Sequence, residues 1–184
     1  MRLLLHTCCA PCVVAPVPVL RREGFDVTLF FLNPNIHPLL EFRQRLKAVQ
    51  VFAERERLPL IAVERYGLTD FLQAVWPDVT NRCSKCYRMR LEATAQTAAG
   101  AGFDGFTSSL LFSTQQDHDA ITEIGRQAAH RWGVQFVVRD LRHLYDVGHD
   151  EARRRSIYRQ QYCGCIFSEY DRYKDTTREL YRGH

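Results

Sequence analysis

The sequence predicts an α/β protein: a parallel sheet covered by helices on both faces. Three observations predict it. Short runs rich in β-branched and aromatic residues alternate with helix-length segments whose apolar residues recur every three or four positions. Glycine and proline punctuate the changes between them. The chain has 184 residues, 46% hydrophobic and 25% charged, enough for one buried core and unlike a disordered composition.

The elements follow in order. Residues 3–7 form an apolar run too short to classify by period, and the cysteine-rich stretch after it fits a strand end. Residues 13–23 are helix-length and stop at Gly24. Residues 26–32 read as a buried strand, broken by Asn33-Pro34-Asn35. Residues 39–57 carry Phe42, Leu46, Val49 and Phe52 at helical spacing. A third strand is expected at 58–63, a short helix at 69–76 before Pro77, and a longer helix at 82–99 before Gly100 and Gly102. A fourth strand at 103–108, a helix at 119–132 ending at Gly133 and a fifth strand at 134–138 complete the alternation. From about Tyr145 the chain reads as helical, apart from a break around Gly164. This organisation is one domain over 1–184: an α/β core at 1–144 and a helical extension at 145–184 that carries Cys163-Gly164-Cys165. Parallel strands joined by right-handed crossovers put reactive groups at their carboxyl ends. His6–Cys12, Asn33–Pro38 and Thr107–Asp119 are therefore expected on one rim.

Three leucines after Met1-Arg2 are too few for the apolar centre of a secretion signal, and no run approaches the roughly 18 apolar residues of a membrane span. A cytoplasmic protein is expected, where thiols stay reduced and clustered cysteines bind metal or carry out redox chemistry. The net charge of +4 permits a polyanionic partner without requiring one.

The seven cysteines fall into three groups: Cys8, Cys9 and Cys12; Cys83 and Cys86; Cys163 and Cys165. The first ends a strand, where Pro11 can open the next helix. The second places two sulfurs one turn apart on one helix face. The third flanks a glycine that lets the backbone bend. Structural zinc, with matched ligand pairs, fits seven unequally grouped cysteines poorly. A single dithiol motif leaves five unexplained. An iron–sulfur cluster takes four thiolates and leaves three for a second metal or a redox pair. Two sulfurs from each of the first two groups make one such set, Cys8, Cys9, Cys83 and Cys86, with Cys12, Cys163 and Cys165 left over. Spacing alone does not choose among the groupings.

Four motifs carry a resemblance. Cys8-Cys9-Ala10-Pro11-Cys12, Asn33-Pro34-Asn35-Ile36-His37-Pro38, the run from Arg82-Cys83-Ser84-Lys85-Cys86 to Leu91, and the run from Tyr158 to Cys163-Gly164-Cys165 occur in an order that resembles QueH. This is the non-cobalamin epoxyqueuosine reductase family of tRNA queuosine biosynthesis. The resemblance implies a fold similar to the nucleotide-binding fold of PP-loop enzymes, and reductive removal of the epoxide oxygen of epoxyqueuosine in tRNA. It implies a 4Fe–4S cluster, a neighbouring mononuclear iron, and a redox-active Cys163–Cys165 disulfide that competes with metal ligation by the same sulfurs. Cysteines occupy the place of the glycine-rich phosphate loop, so no ATP hydrolysis is expected.

Protons for such a reaction are expected from His37 or His118, with Asp117, Asp119 and Tyr87 as alternatives. The bland readings are a loop-capping His37 and a His118 that merely begins a helix. Asn35, Arg82, Lys85, Arg88 and Arg90 are candidate substrate contacts, the four cations meeting tRNA phosphates beside the cluster helix. A solvated helix face is the ordinary reading of such a charge run. Partners implied are the tRNA, an unidentified electron donor and no membrane. The competing functions are a zinc-stapled RNA-binding module and a thiol–disulfide oxidoreductase acting through Cys163–Cys165.

Overall fold

Strand β1 (Arg2–His6) has Leu3 and Leu5 on one side and Leu4 on the other, all fully buried. Burial on both faces is why its sequence is continuously apolar instead of alternating. The computed structural model of the chain describes residues 1–176. Around β1 lie β2 (Asp26–Phe31), β3 (Leu60–Ala62), β4 (Gly105–Ser108) and β5 (Gln135–Phe136), in the order β3-β2-β1-β4-β5. Every neighbouring pair is parallel, with Leu5 opposite Leu29 on one side and Thr107 on the other. This is the expected fold class.

On the Leu3/Leu5 face pack α1 (Pro11–Val14), α2 (Pro16–Arg22) and α3 (Leu39–Arg55), which contributes Phe42, Leu46, Val49 and Phe52. On the Leu4 face pack α5 (Arg82–Gly100) and α6 (His118–Trp132), with Leu91, Ala95, Ile121 and Ala128 inward. Between them in sequence is α4 (Leu68–Val75), and the chain continues into α7 (Tyr145–Arg154) and α8 (Ile166–Tyr173). No helix among the described residues is long and apolar enough to cross a membrane.

Two elements differ from expectation. The helix expected over 13–23 is two helices, because Pro16 has no N–H to give to the carbonyl four residues earlier. The expected helical tail is interrupted much earlier than Gly164. Helix α7 ends at Arg154, Ser156 takes a left-handed φ of 53°, and 155–165 is irregular up to α8. The last part of the expected extension, residues 177–184, lies outside the described residues.

Strand order reverses between β1 and β4, the switch point where α/β sheets open a crevice at their carboxyl rim. Gly67, just before α4, holds one side of that rim: a Cβ there would lie 2.5 Å from Pro34 Cβ and 2.6 Å from Pro34 Cα. Gly67→Ala is therefore expected to cost about 1–3 kcal/mol by overpacking. The thermal midpoint should drop by roughly 2–4 °C per kcal/mol. An unchanged or raised midpoint in a melting experiment would contradict this contact.

Candidate metal centre

The crevice is tied together by a buried histidine. His6, at the end of β1, meets Ser108 Oγ through Nδ1 at 2.9 Å and Asn33 Oδ1 through Nε2 at 3.3 Å. Asn33 Nδ2 donates to the Thr7 carbonyl at 2.9 Å. Since Asn33 Oδ1 can only accept, the proton sits on Nε2. Burial, and then the charge of Arg90, push the His6 pKa down to about 3, so the ring is neutral. One side chain thus joins the carboxyl ends of three strands.

The first cysteine group follows directly. Cys8 N donates to Ser109 Oγ at 3.1 Å, and Ser109 Oγ–H in turn donates to Cys8 Sγ at 3.3 Å. Pro11 opens α1 as expected. The sulfurs of Cys8, Cys9 and Cys12 all lie within 4.8 Å of one another, and Cys9 and Cys12 are joined as a disulfide with Cα atoms 5.5 Å apart. Gln160 Nε2 points at this group, 3.1 Å from Cys9 Sγ and 3.6 Å from Cys12 Sγ.

The other four cysteines line a cavity of about 150 Å³, together with Asn35 and Tyr87. Cys83 and Cys86 come from the first turns of α5, and Cys163 and Cys165 from the turn before α8. The structure therefore places the second and third cysteine groups around one hollow, with the first group beside it. Cys163 and Cys165 are free thiols, and the disulfide is Cys9–Cys12. Burial, eased by Arg90 and reinforced by Cys163, Cys165 and Cys83, pushes the Cys86 thiol up to about 12. Left alone it is a neutral thiol, and a bound metal is what would draw off its proton.

Arg90 is the charge in this arrangement. It is 2% exposed, its Nε donates to the Cys86 carbonyl at 3.2 Å, and its guanidinium lies 5.9 Å from the Tyr87 ring centroid. It forms no ion pair with a carboxylate among the described residues. Burial works against its charge, while Cys86, Cys163, Cys8 and Tyr87 support it. A buried cation needs a compensating anion. Here the groups positioned to supply one are sulfurs from all three cysteine groups. The donor set thus fits a thiolate-bound metal group, and Cys8, Cys9 and Cys12 alone could hold a metal ion.

The remaining sequence-derived residues separate. Asn35 lines the cavity, and its Oδ1 is buried without a hydrogen-bond partner among the described residues. His37 is 1% exposed; its Nε2 meets the Pro34 carbonyl at 3.0 Å and its Nδ1 accepts from Ile166 N at 3.4 Å. Both ring nitrogens are engaged by backbone, and burial lowers its pKa. His118 begins α6 with Nε2 on the Ser113 carbonyl at 2.9 Å, while Asp117 caps the helix through Ala120 N. Tyr87 Oη accepts from Asp117 N at 3.3 Å, and its O–H has no acceptor among the described residues.

The four cations of the 82–90 run do not form one surface. Arg82 pairs with Asp171 at 2.7 Å, Lys85 reaches the Asp78 carbonyl at 3.2 Å, and Arg88 donates to Gln127 at 3.1 Å. Arg90 does not belong with them. It lies one helical turn beyond Cys86, on the same buried face of α5, so it cannot act as an exposed phosphate contact.

Sequence reasoning missed the clamp on the Cys163–Cys165 turn. Arg45 donates from Nη1 to the Cys163 carbonyl at 2.8 Å and from Nη2 to the Tyr162 carbonyl at 2.9 Å, while Nε pairs with Glu41 at 2.6 Å. Tyr158 Oη–H donates to the other Glu41 oxygen, and Tyr162 Oη–H to the His37 carbonyl. His37 N donates to the Gly164 carbonyl at 2.8 Å. Gly164 has φ +151°, and a Cβ there would sit 3.1 Å from Asn35 Nδ2. The available signal was Arg45 itself, a charge inside the apolar stripe Phe42–Leu46–Val49.

The family model described as Epoxyqueuosine reductase QueH matches residues 3–171. The chain is 38% identical over 172 residues to an Epoxyqueuosine reductase QueH of Dehalococcoides mccartyi, covering 94% of both chains. It is 34% identical to a protein of the same description from Thermotoga maritima, covering 92% of this chain and 91% of the relative. A solved structure described as a predicted subunit of tRNA methyltransferase from Methanocaldococcus jannaschii superposes with a TM-score of 0.53 at 14% identity, over 79% of this chain and 74% of that one. This last likeness is one of fold.

Proposed function

The chain belongs to the QueH epoxyqueuosine reductase family, and from that premise we propose that it removes the epoxide oxygen of epoxyqueuosine in tRNA to leave the cyclopentene of queuosine. The balance is two electrons and two protons in, one water out. The observation that carries the reading is the gathering of the three cysteine groups at the switch-point rim, with one sulfur of each, Cys8, Cys86 and Cys163, acting on buried Arg90.

Cys8, Cys9, Cys83 and Cys86 are the proposed ligands of a 4Fe–4S cluster, with Cys12, Cys163 and Cys165 serving a second iron or a redox pair. Cys9 can ligate only with its bond to Cys12 reduced, so a thiol reductant is part of loading. Such a cluster supplies electrons singly. The chain's own residues do the rest. Arg90 balances the negative charge of the sulfurs. Asn35, with its free Oδ1, and Arg82, Lys85 and Arg88 are the proposed contacts to the modified nucleotide and its phosphates. Tyr87 lines the cavity with its O–H free, and burial pushes its pKa up to about 12, so it holds a proton at neutral pH to place on the departing oxygen. His118 is the second proposed proton source. His37 is proposed to act by position, holding the Cys163–Cys165 turn against Asn35.

The test is anaerobic purification followed by metal analysis and turnover with tRNA carrying epoxyqueuosine. Brown protein with about four or five irons per chain and queuosine as product is expected. Colourless protein with stoichiometric zinc and tRNA affinity without turnover would sink the reading in favour of a zinc-stapled RNA-binding module. The Cys9–Cys12 disulfide favours one competing reading, thiol–disulfide exchange at that pair. In that case activity would persist without iron and vanish on Cys12→Ser.

A further inference from the structure

The outer face of α3 and residues 155–158 enclose a groove of about 520 Å³. Its floor is apolar, formed by Ala48, Val51, Phe52 and Ile157. Along its edge stand Arg43, Lys47 and Arg55, all exposed and none in an ion pair among the described residues. The fourth cation of the groove, Arg155, is neutralised by Glu56. Arg43 and Lys47 are one turn apart on α3, and Arg55 stands about two turns further along, where it lines the same groove. From Arg43 to Arg55 the rise is about 18 Å.

We propose that this groove is a track for the phosphate backbone of the tRNA substrate. The inference rests on the reading that the chain acts on tRNA. Charge selects the occupant. A row of unpaired cations over an apolar floor suits a polyanion whose sugars and bases can cover the floor. The more obvious basic runs are less free for this. Arg82 is paired with Asp171, Arg153 with Asp150, Arg154 with Glu151 and Arg155 with Glu56. Each would have to exchange an internal partner for a phosphate.

Two chain segments link the groove to the centre. Helix α3 begins directly after the Asn33–Pro38 loop, and its opposite face carries Arg45, which clasps the Tyr162 and Cys163 carbonyls. The other wall, 155–158, is the start of the segment that runs on to Cys163. A backbone seated in the groove therefore rests on the two segments that frame the cysteine cavity.

The test uses the full chain, an unmodified tRNA transcript and tRNA carrying epoxyqueuosine, with affinity measured across a KCl series. Arg43→Ala/Lys47→Ala/Arg55→Ala is expected to weaken tRNA binding about tenfold or more at low salt. The slope of log K against log[KCl] should become shallower by about 2–3, near one unit per lost phosphate contact. KM for the modified tRNA should rise with kcat unchanged, and iron content and thermal midpoint should match the parent. Arg43→Lys/Arg55→Lys, which keeps the charges, should keep the slope. A triple variant with the parental slope and KM would overturn the groove assignment while leaving the tRNA reductase reading intact. A parent protein that neither binds nor turns over tRNA would overturn that reading, and the track with it.

Discussion

Arg90→Met is expected to move two quantities in opposite directions: iron is lost, and the metal-free protein becomes no less stable. Arg90 is buried, forms no ion pair with a carboxylate among the described residues, and faces sulfurs from all three cysteine groups. In the metal-free state burial pushes the Cys86 thiol up to about 12 and raises Cys163 as well, so both hold their protons at neutral pH. The cation is then poorly compensated. Replacing a poorly compensated buried charge with an apolar side chain of similar volume is neutral or stabilising by up to about 4 kcal/mol. In the metal-bound state the sulfurs are thiolates and the cation is their counter-charge. Removing such a support to a metal's ligands weakens metal binding by roughly 10–100-fold. The measurement is iron retention against a chelator, beside the melting midpoint of chelator-treated protein. Arg90→Lys should recover part of the iron retention. A variant that keeps its iron and melts with the parent would show that Arg90 does not balance the sulfurs.

Arg45→Met should damage stability and activity together. The substitution leaves Glu41, a 9% exposed carboxylate, with only Tyr158, and takes the donors from the Tyr162 and Cys163 carbonyls. Breaking a buried ion pair from one side costs about 3–5 kcal/mol. For a domain of this size that is a fall of roughly 6–20 °C in the thermal midpoint. Arg43, Lys47 and Arg55 keep their places on α3, so the salt slope of tRNA binding should change little, while turnover is lost with the position of Cys163 and Cys165. Protease cleavage within 155–165 should accelerate. The double variant Glu41→Leu/Arg45→Met, which removes both charges, should regain part of the stability and none of the turnover. A midpoint within about 1 °C of the parent would show that the clamp does not hold this segment.

How much of this was legible depended on whether the deciding interactions are local. The buried runs of β1 and β2, the apolar stripe of α3 and the glycine stop of α6 are properties of neighbouring residues, and each was readable. Pro16 was also in plain view, and its missing N–H explains the split between α1 and α2. Irregular residues 155–165 were not readable. The Tyr162 and Cys163 carbonyls are satisfied by Arg45, more than a hundred positions earlier, and the turn after them is fixed by His37 and the absent side chain at Gly164. His37 carries the same lesson at the site. Its residue type suits proton transfer, but partners distant in sequence engage one ring nitrogen and its own loop the other.

By itself the sequence determined a parallel α/β fold and three cysteine groups in the order of the family, because hydrophobic period and motif spacing are written along the chain. Tertiary structure alone decided which sulfurs meet. It placed Cys83 and Cys86 with Cys163 and Cys165 around one cavity, paired Cys9 with Cys12, and turned Arg90 inward among them. The physical reason is that the reversal of strand order between β1 and β4 opens the crevice in which the three groups come together.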